Sequence, residues 1–130
     1  MRLFFDESVG TKVPGALLHI GVPGVEDIER PRRGGDIQQG AADPVWLQWV
    51  GQHGYLGLSE DTAILQSAAL VDLIRLSKCG LVFLKTGQSS RWEVLRLLLI
   101  RWEWLQAVDR DVPRPFAFVL GRNGRARRML

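Results

Sequence analysis

The sequence predicts an α/β fold, a three-layer α/β/α sandwich in which helices cover both faces of a central, mostly parallel sheet of about five strands. Short apolar runs alternate with amphipathic stretches along the whole chain, which is typical of parallel strands joined by helical crossovers. The length of 130 residues fits a single domain, and no internal repeat divides it. We therefore expect one α/β domain over residues 1–121, followed by a basic C-terminal tail over residues 122–130.

The first two elements are predicted to be a buried strand and a short helix. Residues 2–5 are apolar and partly aromatic, which indicates a buried strand. Residues 11–20 place apolar side chains on one face at helical spacing. Pro14 suits the first turn of this helix, and Gly21 suits its end.

A weaker strand, a long loop and a second helix follow. Residues 22–28 are moderately apolar and predict the weaker strand. Residues 29–40 contain one proline and three glycines but few apolar side chains, so they predict a loop. Loops of this length at the edge of a sheet are often functional. Asp43 is predicted to cap the second helix, with Pro44 at its first helical position and Gly54 at its end.

The middle of the chain predicts two further strands on either side of a long helix. Residues 55–58 and 81–84 are continuous apolar runs of strand length. Residues 61–77 carry a wide apolar face at helical spacing, and Gly80 follows as a stop.

The last third predicts one long helix, a strand and the tail. Ser89 or Ser90 is expected to cap a helix that runs to about Val108, and Glu93 suits a capping box. Two prolines then interrupt the helical pattern, and residues 116–120 predict the fifth strand.

The composition excludes several classes of protein. The single cysteine, Cys79, excludes an internal disulfide and a zinc–thiolate site, and it is typical of a reducing interior. No apolar run approaches the roughly 18 residues that a membrane span needs, and an acid follows the first apolar residues too early for a secretory signal. We therefore expect a cytoplasmic protein, and the net charge of +3 weakly favours a polyanionic partner.

Three aspartates are predicted to meet at the carboxyl edge of the sheet. Asp6 follows the first strand, Asp61 follows the third, and Asp43 opens the helix that leads into the third strand. The carboxyl ends of parallel strands converge on one edge, where α/β proteins build their sites, so the three carboxylates lie together if the first and third strands are neighbours. Glu7 adds a carboxylate one residue after Asp6, whereas Glu60 is expected to be solvated.

Carboxylates this close together repel one another unless a cation neutralises them. Mg²⁺ or Mn²⁺ is suited to oxygen ligands, and beside a phosphodiester either ion can polarise the substrate and lower the pKa of a water. Asp6, Asp43 and Asp61 are therefore the candidate catalytic and metal-binding residues, with Glu7 as a further ligand. Each acid alone is more often a turn or cap residue, so the prediction depends on their meeting at one place.

Two groups of arginines are candidates for contacting nucleic-acid phosphates. One group lies in the tail, which contains no acid, and a smaller group lies in the long loop. Such blocks are more often solvated loops or termini, so both interpretations stay open. The candidate nucleic-acid-binding residues are Arg32, Arg33, Arg122, Arg125, Arg127 and Arg128.

The predicted long helix also carries an apolar stripe. Core packing is the simpler interpretation, whereas an exposed patch would suit a homodimer or a partner helix. The stripe consists of Trp92, Leu95, Leu98, Leu99, Trp102 and Leu105.

The order and spacing of these motifs resemble those of the PIN-like nucleases, in particular the compact PIN-like domains related to VapC-type toxins of toxin–antitoxin pairs. The first matching segments are Phe4-Phe5-Asp6-Glu7-Ser8, Asp43-Pro44-Val45-Trp46-Leu47 and Leu58-Ser59-Glu60-Asp61. Gly80-Leu81-Val82-Phe83-Leu84, Gln88-Ser89-Ser90-Arg91-Trp92-Glu93 and Pro113-Arg114-Pro115-Phe116-Ala117-Phe118 continue the match. Each motif is short, and the resemblance covers nearly the whole chain.

The resemblance implies a Mg²⁺- or Mn²⁺-dependent endoribonuclease, neutralised by a cognate antitoxin that inserts a basic side chain or helix into the acidic edge. It assigns the first-strand acid to Asp6, the acid at the start of the second helix to Asp43, and the acid after the third strand to Asp61. The sequence departs from the family pattern at Glu60, where related domains often carry Lys or Arg. Nothing in residues 81–88 supplies the fourth acid of larger PIN domains.

Two other functions are compatible with the same residues. A receiver-like phosphoacceptor domain would also place acids after the first and third strands, with Lys85 and Thr86 nearby, although Asp43 would then have no role. A non-catalytic PIN-like interaction protein would keep the fold, and Glu60 favours it. Phosphorylation of Asp61 by acetyl phosphate would support the first alternative, and tight partner binding without a metal effect would support the second.

Overall fold

The strands of this computed structural model, which describes residues 1–130, form one six-stranded sheet in the order β2-β1-β3-β4-β5-β6. All neighbouring strands are parallel except β5 and β6, which are antiparallel. The predicted α/β fold is thus confirmed, and β1 and β3 are neighbours, although β2 occupies only the end of its predicted range. The strands are β1 (Arg2–Phe5), β2 (Asp27–Glu29), β3 (Leu56–Ser59), β4 (Gly80–Lys85), β5 (Phe116–Gly121) and β6 (Ala126–Arg128).

Helices cover both faces of this sheet. The five helices are α1 (Lys12–Ile20), α2 (Asp43–His53), α3 (Ala68–Ser77), α4 (Arg91–Ile100) and α5 (Trp102–Asp111), and two 3₁₀ turns span Glu7–Val9 and Thr62–Gln66. Helices α1, α4 and α5 contribute to the apolar cluster on one face, and α2, α3 and the second 3₁₀ turn contribute to the cluster on the other. None of the helices combines the length and the apolar character needed to cross a membrane.

The two central strands, β3 and β4, are the most buried strands of the sheet. Every residue of β3 is buried, and Leu56 and Leu58 pack into the cluster under α1 and α4. Gly57 faces α2 instead, and a Cβ atom added there would lie 2.6 Å from Leu81 Cδ2 and 3.5 Å from the Trp46 ring. This close packing fixes the position at which β3 delivers its last residue, Ser59, to the carboxyl edge.

The predicted helix over residues 61–77 is wrong in one respect, because it is split in two. Ser67 has an extended backbone (φ −94°, ψ 112°), and its Oγ accepts a hydrogen bond from the Leu70 N–H at 3.3 Å. Serine side chains favour this capping arrangement over a helix interior. A 3₁₀ turn therefore precedes Ser67, and α3 begins after it.

The predicted long helix after Ser90 is also divided. Ser90 is confirmed as its N-cap, since its Oγ accepts the Glu93 N–H at 3.1 Å. The backbone leaves the α conformation at Arg101 (φ −99°, ψ 16°). The break leaves two shorter helices, α4 and α5, and α5 extends to Asp111.

The apolar stripe across these two helices is only partly core. Leu98 and Leu105 are fully buried, whereas Trp92 and Leu99 are 66% and 41% exposed. Core packing is therefore wrong for Trp92, whose position at the start of α4 leaves its ring outside the layer that covers the sheet.

The C-terminal tail joins the sheet rather than trailing from it. A hairpin turn at Asn123 and Gly124 returns the chain, and Gly124 adopts φ +80°, which glycine tolerates best. The Gly121 N–H donates to the Arg125 carbonyl oxygen at 2.9 Å. Strand β6 thus becomes an antiparallel edge beside β5, and the tail arginines stand on a fixed backbone.

Candidate functional site

The three predicted aspartates all lie towards the carboxyl edge of the sheet. Asp6 directly follows β1, and its N–H donates to the Leu58 carbonyl oxygen at 2.9 Å, which holds it against the end of β3. Asp61 comes two residues after β3. Asp43 starts α2, which runs back from this edge to the beginning of β3. The topology therefore brings to one edge residues that are far apart in sequence.

Asp6 is held by two serine hydroxyls. It is 8% exposed, and its Oδ2 accepts hydrogen bonds from Ser59 Oγ at 2.7 Å and Ser8 Oγ at 2.9 Å. Each hydroxyl in turn accepts a backbone N–H, that of Asp61 at Ser59 (3.0 Å) and that of Glu60 at Ser8 (2.9 Å). Both side-chain donors approach Oδ2, so the other carboxylate oxygen has no side-chain donor.

The electrostatics of Asp6 favour a bound cation or proton. Burial raises the pKa of Asp6 above its usual value of 3.8, and the negative charge of Asp43 adds to this rise. The hydrogen bonds from Ser59 and Ser8 act in the opposite direction, because they stabilise the charged form. A buried carboxylate whose pKa is raised beside a second acid is typical of functional sites.

Asp43 does not cap α2 as predicted. Ala42 occupies the N-cap position in an extended conformation (φ −65°, ψ 152°), and Asp43 is the first helical residue. Asp43 Oδ1 instead accepts a hydrogen bond from Trp46 Nε1 at 2.9 Å. Trp46 is buried and stacks on Phe4 of β1 with ring centroids 5.6 Å apart, so the orientation of Asp43 is set by the core.

Asp61 and Glu7 have different surroundings. Asp61 is half-buried at the start of the second 3₁₀ turn, and its carboxylate makes no hydrogen bond within the protein. Glu7 is exposed, and its Oε1 accepts the Gly40 N–H from the long loop. The structure contains no group of three or more His, Cys, Asp or Glu side chains arranged to hold a metal ion, so the expected closed cluster of three carboxylates is not formed.

The donor chemistry of this edge nevertheless fits a hard divalent cation. Mg²⁺ commonly binds through one or two carboxylates and keeps several waters, together with substrate phosphates. Asp6 has one oxygen without a side-chain donor, and Asp43 is near enough for its charge to act on Asp6. A cleft of about 140 Å³ opens beside Asp6 and is also lined by Glu7, Thr11 and Arg30.

The expectation that Glu60 is solvated is wrong. Its side chain is 11% exposed and forms an ion pair with Arg91, whose guanidinium lies 2.6 Å from Glu60 Oε1. Thr86 Oγ1 donates to Glu60 Oε2 at 2.7 Å, and Arg91 also donates to the Val9 carbonyl oxygen at 2.8 Å. Because Arg91 is 31 residues from Glu60, no local sequence signal marks this pair.

The predicted arginines form two separate groups. Arg32 and Arg33 follow β2, and the tail arginines surround β6, so the groups belong to opposite edge strands. Arg32 pairs with Glu29 at 3.5 Å, and Arg128 donates to the main-chain oxygen of Leu130 at 2.7 Å. These two guanidinium groups are thus partly engaged by the protein itself.

The basic residue beside Asp6 belongs to the arginine group of the long loop but was not among the candidate nucleic-acid-binding residues. Arg30, rather than Arg32 or Arg33, lines the cleft at Asp6. Its position directly after β2 places it at the carboxyl edge.

Comparison with known families gives one match. A family model described as a PIN-like domain matches residues 1–86 of the 130-residue chain, which includes Asp6, Asp43 and Asp61. Neither the curated proteins nor the solved structures contain a match to the chain.

Proposed function

We propose that this chain, which belongs to the family of PIN-like domains, is a metal-dependent endoribonuclease that hydrolyses RNA phosphodiester bonds. PIN-like domains are generally nucleases. The observation that carries the proposal is the buried Asp6 carboxylate at the end of β1, held by Ser8 and Ser59 with Asp43 beside it. Such a carboxylate needs a positive partner at neutral pH.

In this proposal Asp6, Asp43 and Asp61 hold a Mg²⁺ or Mn²⁺ ion. When bound, the ion supplies Lewis-acid chemistry, because it polarises the phosphodiester and lowers the pKa of a water. Glu7 is a weaker candidate ligand, since its carboxylate already accepts the Gly40 N–H.

The protein's own residues orient this site. Ser59 and Ser8 fix Oδ2 of Asp6, which leaves Oδ1 in a defined direction. The same hydroxyls hold the backbone of Glu60 and Asp61, so the acid after β3 is positioned by the acid after β1. Such preorganisation lowers the reorganisation needed during the reaction.

The proposed function also implies partners for the protein. An acidic edge of this kind suits a small antitoxin that inserts a basic side chain or helix, and the arginines of the loop and of the tail would steer RNA phosphates. We place the protein in the cytoplasm, where a thiol such as the buried Cys79 stays reduced.

A non-catalytic PIN-like interaction protein is the second candidate. The observation that favours it is the exposed apolar surface of α4, where Trp92 and Ile100 are 66% and 61% exposed. A homodimer through this surface is compatible with either function. A receiver-like role receives less support, because the Thr86 hydroxyl is already bonded to Glu60.

The test is cleavage of a labelled single-stranded RNA in Mg²⁺, in Mn²⁺ and in EDTA. Asp6→Asn and Asp61→Asn should each lower the rate by about 100-fold or more, and EDTA should abolish cleavage. Asp72→Asn, which changes an exposed acid on α3, is the matched control. Cleavage that persists in both Asp6→Asn and Asp61→Asn would show that the assigned site is wrong.

Thermal unfolding with added Mn²⁺ and then Mg²⁺ separates metal binding from catalysis. A cation that binds only the folded state raises the unfolding midpoint by mass action. The rise expected for the wild type should be lost in Asp61→Asn. No rise at millimolar metal would favour the non-catalytic interaction protein.

A further inference from the structure

Three adjoining clefts run along the carboxyl ends of β4 and β5 to the edge strand β6. Their volumes are about 310, 620 and 590 Å³. The first two share Thr86 and Arg122, and the last two share Thr62 and Lys85. Neighbouring clefts share wall residues, and we call the three clefts together the rim groove.

The rim groove is strongly cationic. Five basic side chains line it, and none of them forms a salt bridge with an acid of this protein. The acids in its walls are Glu60, which is neutralised by Arg91, and Glu93, which accepts the Ser90 hydroxyl at 3.2 Å. The five basic residues are Lys85, Arg96, Arg122, Arg125 and Arg127.

An uncompensated row of cations has a clear electrostatic consequence. Like charges lining one depression repel one another and attract a polyanion. The other tail arginine, Arg128, lies outside the groove, where its guanidinium stacks over the Phe118 ring. Among the groove cations, Arg122 donates to the Gly87 carbonyl oxygen, which is not an acid. The five groove cations thus share one depression without an acidic partner of their own.

The rim groove extends to the two residues that flank Asp61. Glu60 and Thr62, which flank Asp61 on either side, both line it. The sheet order β1-β3-β4-β5 places Asp6 three strand spacings from the end of β5, which is about 14 Å. An extended strand in the rim groove would therefore lead towards the carboxylates within a few nucleotides.

We propose that the rim groove binds the sugar–phosphate backbone of single-stranded RNA and guides it to Asp61. This inference rests on the proposed ribonuclease function for the choice of RNA. No aromatic side chain lines the groove, so base stacking, which supports many single-strand sites, does not contribute. Recognition is by phosphate contacts, and binding is tolerant of sequence and sensitive to salt.

The experiment measures binding without cleavage. Fluorescence anisotropy follows a labelled 12-nucleotide single-stranded RNA of mixed sequence in EDTA, between 50 and 200 mM KCl. Each phosphate contact contributes a slope of about −0.7 in log K against log [salt] for a single strand, so the five cations predict a slope of about −3.5. A slope near zero would overturn the proposal.

A matched pair of variants locates the binding surface. Arg125→Ala/Arg127→Ala removes two groove cations and should weaken binding by about tenfold, with a slope smaller by about 1.4. Arg75→Ala/Arg110→Ala removes the same charge from exposed residues of α3 and α5, and it should leave affinity and slope near the wild-type values. Equal losses in the two variants would overturn the groove assignment.

Competing ligands test the class of partner. Single-stranded DNA of the same sequence should bind with a similar slope, because phosphates are the groups contacted. Tighter binding of a duplex, or of poly-glutamate, would overturn the single-strand assignment in favour of a duplex or an acidic protein.

The two proposals fail in different ways. Asp6→Asn should lose cleavage and still bind RNA with the salt dependence of the wild type, since Asp6 lies outside the groove. Salt-dependent binding without cleavage in Mg²⁺ or Mn²⁺ would support the rim groove and count against the ribonuclease. If Arg125→Ala/Arg127→Ala leaves both cleavage and RNA affinity unchanged, the rim groove proposal is overturned and the ribonuclease proposal is not.

Discussion

The acidic and basic halves of the carboxyl edge are built in opposite ways. At the ends of β1 and β3, Asp6 is buried and accepts hydrogen bonds from Ser8 and Ser59, whose hydroxyls in turn hold the backbone that follows β3. At β4 to β6 the cations are exposed and lack acidic partners, as Arg125 and Arg127 illustrate. The family match ends at residue 86, so it contains the acidic half and only Lys85 of the five groove cations.

This difference separates two kinds of function. Buried polar groups must be hydrogen-bonded to be tolerated, and the bonds that satisfy them also fix their geometry, which suits a site that acts on a defined atom. Exposed cations keep their hydration and their mobility, which suits a surface that attracts many sequences of one charged polymer. Substitutions in the acidic half should therefore change stability, whereas substitutions in the basic half should change binding alone.

The largest expected effect on stability comes from the ion pair behind the acidic half. Arg91→Gln leaves the Glu60 carboxylate, which is 11% exposed, with Thr86 as its remaining side-chain donor. We expect the free energy of unfolding to fall by about 2 kcal/mol, measured by urea denaturation. Arg75→Gln, which breaks an exposed pair with Asp72, should cost less than about 0.5 kcal/mol; equal losses would mean that the buried pair has no special role.

A smaller effect of the opposite sign is expected at Asp6. The pKa of Asp6 is higher in the folded protein than its unfolded value of about 3.8. Protonated Asp6 therefore contributes to stability below pH 3.8, and this contribution is lost as the pH rises through the folded-state pKa. Asp6→Asn should therefore raise the stability of the metal-free protein at pH 7 by about 1 kcal/mol, or about 4 °C in Tm. The gain should disappear as the pH falls below 3.8.

Thermal unfolding in EDTA between pH 3 and pH 8 checks this expectation. Asp72→Asn removes an exposed carboxylate on α3 and provides a control with the same change in charge. A lower Tm for Asp6→Asn than for the wild type at pH 7 would show that the serine hydrogen bonds outweigh the cost of burial.

The smallest effect is expected in the basic half. Arg125→Ala/Arg127→Ala removes exposed side chains of the β5–β6 hairpin that make no side-chain hydrogen bond or ion pair. The free energy of unfolding should change by less than about 0.5 kcal/mol, as measured by the urea midpoint. A loss above 1 kcal/mol would contradict the contrast between the two halves, since it would mean that these cations are part of the fold.

Local patterns predicted the elements well where one kind of signal dominated. The apolar runs of β1, β3, β4 and β5 were recognisable because they are continuous, bounded and buried on both faces. The helix breaks at Ser67 and Arg101 were missed, because the apolar spacing continues through both positions. Asn123-Gly124 is a hairpin signal in itself, so the sixth strand was open to prediction, but the surrounding arginines suggested a loose tail.

The candidate site was predictable only in part. The positions of Asp6 and Asp61 were predicted from the rule that the carboxyl ends of parallel strands meet at one edge of the sheet. That rule needs only the identity and the order of the elements. The bond from Trp46 to Asp43 replaced the expected cap, because a buried indole N–H requires an acceptor. Nothing in the local sequence showed that Glu60 would face inwards.

The sequence by itself determined the alternation of strands and helices and the edge at which the acids emerge, because these depend on periodicity and chain direction, which are local. The tertiary structure alone decided which groups meet across that edge. Glu60 finds Arg91 and Thr86, Asp6 finds Ser59, and the groove cations find no acid. These pairings depend on the packing of α4 and β4 against β3, and residues this far apart in the chain leave no periodic signal of their contact.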